Sequence, residues 1–195
     1  MREAEVSNPS YLTITENNSG TYIYAVSKHG DGREAVNSFA LDKATGKLTF
    51  INKENAMRAD PCYITGNGKN VITANYSGGS ISVFSLGEVG NILPASDVIK
   101  FEGSGPVEDR QEKSHLHCVQ FSPDGKHLFA TNLGTDQIYK FNVNQSADAT
   151  NIEKLLTIGE PAFITIKPGS GPRHITFAPN GKYAYLISEL AGTVT

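Results

Sequence analysis

A fourfold internal repeat constrains this chain of 195 residues more than any other feature of its sequence. Four apolar segments align: N-P-S-Y-L-T-I from Asn8, D-P-C-Y-I-T-G from Asp60, H-L-H-C-V-Q-F from His115 and G-P-R-H-I-T-F from Gly171. Their anchor residues are separated by 52, 55 and 56 residues, and these anchors are Pro9, Pro61, Leu116 and Pro172. Regular spacing of this length indicates one supersecondary unit repeated along the chain.

Each aligned segment is followed by a turn and a second strand. The turns read N-N-S-G-T, G-N-G-K, S-P-D-G-K and A-P-N-G-K, and this chemistry is typical of β-hairpins. Third strands follow as A-V-N-S-F-A-L-D, S-I-S-V-F-S-L and Q-I-Y-K-F-N-V, and K-L-T-F-I-N is a fourth strand in the first unit. Apolar residues alternate with a period of two, which excludes helical repeats. We predict an all-β fold, a β-propeller of four-stranded antiparallel blades; a β-sandwich is the alternative, but it leaves the repeat unexplained.

The number of blades follows from the length of the repeat. At about 54 residues per blade the chain holds about 3.6 blades, whereas closed propellers have about 4 to 8. The predicted units are 8–59, 60–114, 115–170 and a truncated 171–195, in a single domain. We therefore expect a partial propeller, a central piece of a longer protein. Because open edge strands invite pairing, we expect the remaining blades to lie on another chain, or the chain to associate with itself.

Composition excludes several classes of function. The net charge of −3 without a basic cluster argues against nucleic acid, and no apolar run approaches the ~18 residues of a membrane span. Two cysteines without zinc-ligand spacing argue against a disulfide scaffold or a structural metal site. His115 and His117 share one strand face, but no third metal ligand is placed near them. We predict no metal and no cofactor, and, since no apolar signal-peptide core precedes the first strand, a cytoplasmic location.

The repeat defines two sets of equivalent positions at one end of each hairpin. The first slot opens the innermost strand and holds Ser10, Cys62, His117 and Arg173. The second slot follows the second strand and holds Lys28, Tyr76, Leu133 and Glu189. Because innermost strands converge on the propeller axis, we expect His117, Arg173 and Glu189 to gather at one mouth of the central channel. A plain salt bridge between Arg173 and Glu189 across the hairpin end is the alternative interpretation.

Several motifs in these positions resemble one known family. They are A-N-Y-S-G-G-S-I-S-V-F (74–84), R-Q-E-K-S-H-L-H (110–117), F-S-P-D-G-K (121–126), G-S-G-P-R-H (169–174) and K-Y-A-Y-L-I-S-E-L (182–190). The chain resembles, along nearly its whole length, the 6-phosphogluconolactonase family of seven-bladed propellers, which is related to the fungal carboxy-muconate lactonizing enzyme. The resemblance implies hydrolysis of a phosphorylated sugar lactone in carbohydrate metabolism, with about three blades outside this sequence.

The resemblance also implies a site at the channel mouth. The family's proposed histidine, arginine and acid fall on His117, Arg173 and Glu189, although Ser188 replaces the asparagine that precedes the acid. A further arginine is expected from a later blade. His117 or Glu189 would be the general base, and Arg173 would stabilise the oxyanion or bind an anionic group of the substrate; we favour His117 as the base.

Four more residues are candidates for binding the substrate: Tyr76, Arg110, His115 and His174. A solvated loop is the alternative interpretation for Arg110 and His115, which precede the third innermost strand. Two other functions remain open from the sequence. One is a non-catalytic propeller that binds a ligand or protein through the same mouth, and the other is a lactonizing (cycloisomerase) enzyme that acts on a muconate-type acid.

Overall fold

Four antiparallel sheets, connected in chain order, form the architecture in the computed structural model, which describes residues 4–29, 31–150 and 153–195. The first sheet contains β1 (Pro9–Asn17), β2 (Gly20–Ser27), β3 (Ala35–Asp42) and β4 (Lys47–Asn55). The second contains β5 (Pro61–Gly66), β6 (Asn70–Asn75), β7 (Ser80–Leu86) and β8 (Ile92–Lys100). The third contains β9 (Leu116–Phe121), β10 (His127–Asn132), β11 (Gln137–Val143) and β12 (Leu156–Thr165), with a 3-10 turn at Leu133–Thr135. The fourth contains β13 (Pro172–Phe177), β14 (Ala184–Ser188) and β15 (Thr193–Val194).

Within every sheet the strands pair in sequence order, each with the next. The first strands of successive sheets pack side by side: β1 contacts β5, β5 contacts β9, and β9 contacts β13. This arrangement places one edge strand of each sheet near a common axis and the later strands outside. It confirms the predicted β-propeller of four-stranded antiparallel blades, with three complete sheets and a three-stranded fourth. The predicted third strands 35–42, 80–86 and 137–143 match β3, β7 and β11 residue for residue.

Local side-chain chemistry explains the hairpin between the first two strands in three of the sheets. In each turn an Asn or Asp side chain accepts a hydrogen bond from the backbone N–H two residues later, and the glycine between them has a positive φ. The three acceptors are Asn67, Asp124 and Asn180, and the glycines are Gly68, Gly125 and Gly181. Glycine adopts this left-handed conformation without a steric penalty. The predicted turns therefore form through the Asn, Asp and Gly residues on which the prediction rests.

Apolar side chains fill the spaces between neighbouring sheets. One core cluster lies between the first and second sheets and includes Tyr24, Val36, Ile64 and Phe84. A larger cluster joins the second, third and fourth sheets, with Ile72, Leu116, Leu128 and Leu186 among its members. The sheets therefore pack face to face in succession, which holds their first strands in register with one another.

A β-bulge recurs in the first strand of every sheet. The pairing register shifts by one residue between Pro9 and Tyr11 in the first sheet, and at the equivalent point in each of the other three. The residue at the bulge is the first-slot residue in each case: Ser10, Cys62, His117 and Arg173. A bulge re-aims the side chain it carries. The fold thus gives all four first-slot residues the same departure from regular strand geometry.

The backbone of the second-slot residue forms an equivalent hydrogen bond in all four sheets. The backbone N–H of the slot residue donates to the carbonyl of the residue before the anchor. The four donor–acceptor pairs are Lys28 to Asn8, Tyr76 to Asp60, Leu133 to His115 and Glu189 to Gly171, at 2.7–3.0 Å. Both slots therefore lie at one end of the sheets, at the mouth that the repeat predicts.

Candidate active site

Glu189 is the centre of a charged cluster at this mouth. Its carboxylate forms salt bridges with Arg110 and with Arg173, the latter with 2.8 Å between Nε and Oε2. The Nε2 atom of His117 lies 3.6 Å from the same Oε2 atom. The structure therefore brings together the three residues assigned to the mouth from the sequence, and adds Arg110, which comes from the segment between the second and third sheets.

His117 is held as a neutral imidazole. Its side chain is 12% exposed, and burial, with the positive charges of Arg173 and His174, lowers the pKa of His117 to about 4. On its other side, Nδ1 lies 3.9 Å from the Sγ atom of Cys62. Burial raises the pKa of Cys62 to about 12, so that residue is a thiol at neutral pH and is no nucleophile. The imidazole is thus deprotonated at neutral pH.

The Glu189 carboxylate is ionised because of its arginine partners. Partial burial acts to raise its pKa, but the hydrogen bond and charge of Arg110, together with His117 and Arg173, leave the pKa of Glu189 below its ordinary value. A carboxylate with a lowered pKa and two cationic partners is a weak proton acceptor. Because the pKa of His117 is lowered as well, the two candidates for the general base differ in their contacts rather than in basicity. The Glu189 carboxylate is engaged by both arginines, whereas His117 lines the cavity at the mouth, and His117 remains the base that we predict.

Tyr76 contacts both Arg110 and His117 of the cluster. Its hydroxyl accepts a hydrogen bond from Arg110 at 3.4 Å. Its ring stacks on the ring of His115, with 4.3 Å between centroids, and forms a T-shaped pair with the ring of His117, with 5.5 Å between centroids. The tyrosine thus packs between two histidines and supports the guanidinium that pairs with Glu189.

His115 stacks on Tyr76 and is not among the residues that line the cavity at the mouth, so its role as a substrate contact stays a prediction. The residue is 5% exposed. Its Nδ1 faces the Tyr76 carbonyl at 3.2 Å, and its Nε2 faces both carboxylate oxygens of Glu112 at 3.1 Å. Because Glu112 is only two residues from Arg110, this contact fixes the loop that carries the arginine. The role we assign to His115 is therefore to position Tyr76 and Arg110.

Asp136 positions Arg173 in a similar way. Its carboxylate is buried and accepts hydrogen bonds from the backbone N–H groups of Gly169 and Gly171, at 2.7 and 2.8 Å. Gly171 has a φ of 62°, and a Cβ there would lie 2.5 Å from the side chain of Leu190. The G-S-G segment is thus a tight turn into β13. Asp136 was not predicted from the sequence, in which the G-T-D context after β10 is its only local signal.

A cavity of about 500 Å³ opens beside the cluster and is lined by residues from all four sheets. His117, Arg173, Arg110 and Tyr76 of the cluster line it, and so does His174. Burial, and then the charge of Arg173, lowers the pKa of His174. Five of the seven predicted site residues therefore face this cavity, Glu189 pairs with its two arginines, and His115 lies behind it.

Two other rings that line the same cavity, Tyr11 and His174, pack against the ring of Tyr63. The Tyr11 ring stacks on Tyr63 at 4.0 Å between centroids, and His174 lies edge-on to Tyr63 at 5.3 Å. His174 is also 5.3 Å from His117. This stack carries contacts across the channel from the first sheet to the fourth.

No group of three or more His, Cys, Asp or Glu side chains in the described residues could hold a metal ion. Both cysteines are free thiols. Within the same residues, no helix has the length and hydropathy needed to cross a bilayer.

The lowered pKa of His117 predicts a specific pH dependence of stability. The unfolded chain protonates this imidazole near its ordinary pKa of 6.5 and the folded chain only near 4. The unfolded state therefore binds more protons between these values, and the free energy of unfolding falls as the pH decreases from 6.5 towards 4. Between pH 7 and pH 5 we expect a loss of about 2 kcal/mol from this residue.

Urea denaturation at pH 7, 6 and 5 measures this loss. The variant His117→Asn should have a shallower pH slope, since it keeps only the smaller contribution of His174 and other groups. The window lies above the ordinary pKa of Glu189, so that carboxylate does not contribute to it. Parallel slopes in both proteins would show that His117 is not buried as a neutral base.

Comparison with known proteins gives a consistent assignment. Residues 1–195 match the family described as lactonase, 7-bladed beta-propeller. The chain is 35% identical over 193 residues to a 6-phosphogluconolactonase of Bacillus subtilis, covering 98% of this chain and 51% of that protein. It is likewise 35% identical over 197 residues to a 6-phosphogluconolactonase of Formosa agariphila, covering 97% of this chain and 53% of that protein. The chain thus spans about half the length of the curated relatives it matches.

Solved structures agree with these sequence matches. A protein of Bacteroides fragilis, provisionally assigned as a 6-phosphogluconolactonase, is 55% identical with a TM-score of 0.95, over 98% of this chain and 53% of that one. A periplasmic gluconolactonase of Pseudomonas aeruginosa is 32% identical with a TM-score of 0.85, over 99% of this chain and 54% of that one. With its fold and its match over the entire sequence, the chain belongs to the lactonase family of seven-bladed β-propellers.

Proposed function

We propose that the mouth cluster hydrolyses the δ-lactone of a phosphorylated sugar acid, as a 6-phosphogluconolactonase does. The observation that carries this proposal is the convergence on Glu189 of a neutral imidazole and two guanidinium groups. Lactone hydrolysis needs a base that activates water and cations that stabilise a tetrahedral oxyanion. The names of the curated relatives support the same reaction.

In the proposed reaction, Nε2 of His117 removes a proton from water as the water oxygen adds to the lactone carbonyl. The carbonyl oxygen becomes an oxyanion. The tetrahedral intermediate then collapses, the bond between the carbonyl carbon and the ring oxygen breaks, and the ring oxygen takes the proton from the imidazolium. The products are the open-chain acid and the regenerated imidazole. Glu189 stabilises the transient imidazolium, since its Oε2 is 3.6 Å from Nε2.

Arg173 is the group we assign to the oxyanion. Its salt bridge with Glu189 uses Nε, and a guanidinium has five N–H donors in a fixed plane. Its terminal nitrogens can therefore bind the developing negative charge without breaking the contact with Glu189. Arg110 supplies a second guanidinium in this chain, independently of the later-blade arginine that the resemblance implies.

The direct test is a pH-stat measurement of acid release from 6-phosphogluconolactone, above the rate of spontaneous hydrolysis. A parallel assay would follow cyclisation of a carboxy-muconate. Hydrolysis of the lactone alone supports the proposal, and cyclisation of the muconate alone would replace it with a lactonizing activity. Turnover of neither substrate would leave a binding module. A cytoplasmic location remains a prediction, since one structural relative is periplasmic by name.

We also propose that the exposed faces of the first and fourth sheets associate with other blades or with a second copy of the chain. Leu12 in β1 is 53% exposed, whereas its counterpart in the second sheet, Ile64, is 1% exposed because the first sheet covers it. At the other end, Ile187 in β14 is 48% exposed, whereas its counterpart Ala74 is fully buried. Both positions belong to faces that a neighbouring sheet covers elsewhere in the structure. Further blades on another chain, or a second copy of this chain, would cover them.

We therefore expect the 195-residue chain to run above its monomer mass of 21.0 kDa in size-exclusion chromatography with light scattering. The double variant Leu12→Glu/Ile187→Glu should shift it towards monomer, because charges on these faces oppose burial. We also expect lactone turnover to require that these faces be covered, since water entering the mouth weakens its electrostatic contacts. A monodisperse monomer with full lactonase activity would contradict both expectations.

A further inference from the structure

The cavity beside the cluster carries more positive charge than its acid neutralises. Three cationic side chains line it: Lys28, Arg110 and Arg173. The single carboxylate of Glu189 pairs with both arginines. The lining histidines, His117 and His174, have lowered pKa values and add no charge at pH 7. The site therefore keeps an excess of two positive charges in the absence of a ligand.

Lys28 supplies one of these two excess positive charges, and no salt bridge among the described residues neutralises it. Among the described residues it takes part in no salt bridge, whereas both arginines do. Its ammonium is close enough to act electrostatically on Cys62, which also lines the cavity. A lysine at the edge of a mostly cationic cavity, without a carboxylate, is poised for an anion from solution.

The position of Lys28 is built into the fold. It occupies the second slot of the first sheet, equivalent to Tyr76 and Glu189, both of which belong to the cluster. Its backbone N–H donates to the Asn8 carbonyl at 3.0 Å, and the Asn8 side chain donates to the Lys28 carbonyl. The neighbouring Ser10 hydroxyl is committed as a donor to the Pro61 carbonyl at 2.7 Å. Lys28 is therefore the cationic donor that the first sheet contributes to the cavity.

We propose that Lys28, which the first sheet contributes, is a specificity-determining residue that binds the phosphate of the substrate in the cavity that it lines together with Arg173. This proposal rests on the proposed lactone hydrolysis and names the group that selects the substrate. A phosphate monoester carries a charge of about −1.5 to −2 near pH 7, which matches the excess of two positive charges. An unphosphorylated lactone has no charge to compensate the ammonium.

The test compares wild type, Lys28→Gln and Lys28→Arg on 6-phosphogluconolactone and on the unphosphorylated glucono-δ-lactone. Lys182→Gln is the matched control, because Lys182 is an exposed lysine at the hairpin turn of the fourth sheet. We expect Lys28→Gln to lower kcat/KM for the phosphorylated lactone by about 10-fold or more, mainly through KM. Turnover of the unphosphorylated lactone should change less than twofold, and Lys28→Arg should restore most of the loss. Equal losses on both lactones, or no loss, would overturn the proposal.

Calorimetric binding of 6-phosphogluconate and of gluconate separates this proposal from the proposed function. We expect wild type to bind 6-phosphogluconate about 10-fold more tightly than gluconate, and Lys28→Gln to lose that preference. If no lactone is hydrolysed but the preference exists and depends on Lys28, the hydrolase proposal fails and the phosphate site stands. A wild-type protein that binds both acids equally would overturn the role of Lys28, whatever the result of the turnover assay.

Discussion

Replacing His117 with asparagine should reduce lactone hydrolysis by about 10²- to 10⁴-fold, the range that a general base contributes. Asparagine retains hydrogen-bonding groups of similar reach but cannot take a proton from water near neutral pH. In wild type the pKa of His117 is lowered to about 4. The wild-type kcat/KM should therefore rise with pH through about 4 to 5 and be level at neutral pH. The activity assays use the active form of the protein, whether the chain alone or an assembly that covers its outer faces.

His127→Asn is the matched control for this substitution. His127 lies at the turn end of the same hairpin, at the far end of β10 from the mouth, so its loss should leave turnover within about twofold. The residual activity of His117→Asn should also lose the acidic limb of the pH profile. An active His117→Asn protein with an unchanged pH profile would exclude His117 as the base and leave Glu189 as the remaining candidate.

Replacing Arg173 with alanine should lower turnover by about 10²- to 10³-fold, as the removal of one oxyanion donor does. The stability cost should be far smaller. The arginine side chain is 41% exposed and that of Glu189 is 28% exposed, and salt bridges this accessible to solvent contribute about 0–1 kcal/mol. Lactone turnover and urea denaturation of the same preparations measure the two effects.

Arg33→Ala removes another arginine that pairs with an acid, Asp31, at an exposed site in the connection between β2 and β3. It should change neither turnover nor stability appreciably. If Arg173→Ala lost stability in proportion to activity, the contact with Glu189 would be a structural salt bridge, which was the alternative interpretation from the sequence. A loss of activity without a comparable loss of stability separates the chemical role from the structural one.

The fold followed from the sequence because its signals are local. Each hairpin turn carries its own Asx side chain and glycine, as in Asp124 and Gly125. The alternation of apolar and polar residues predicts a strand from only a few residues. Because the sequence repeats, the strands predicted for one sheet also predict the equivalent strands of the next. For the same reason, the equivalence of Lys28, Tyr76 and Glu189 could be predicted, since each follows a second strand by the same count.

The site was less predictable where residues act across long separations. Arg110 and Glu189 form a salt bridge 79 residues apart, and Arg110 lies in a connection between sheets with no counterpart in the repeat. His115 lies in the same H-L-H motif as His117, two residues before it. Its ring nevertheless stacks on Tyr76 and faces Glu112. No local pattern in the sequence distinguishes a histidine that faces the cavity from one that supports its wall.

The sequence by itself determined the propeller architecture, the strands and the two sets of equivalent positions at the mouth. Only the tertiary structure decided where those side chains point. The bulge at Arg173 and at His117 shifts each residue out of the regular strand register, and the packing of consecutive first strands then brings the two side chains to one carboxylate. Bulges and the packing between sheets depend on contacts among segments far apart in the chain, whereas periodicity and turn chemistry act within a few residues.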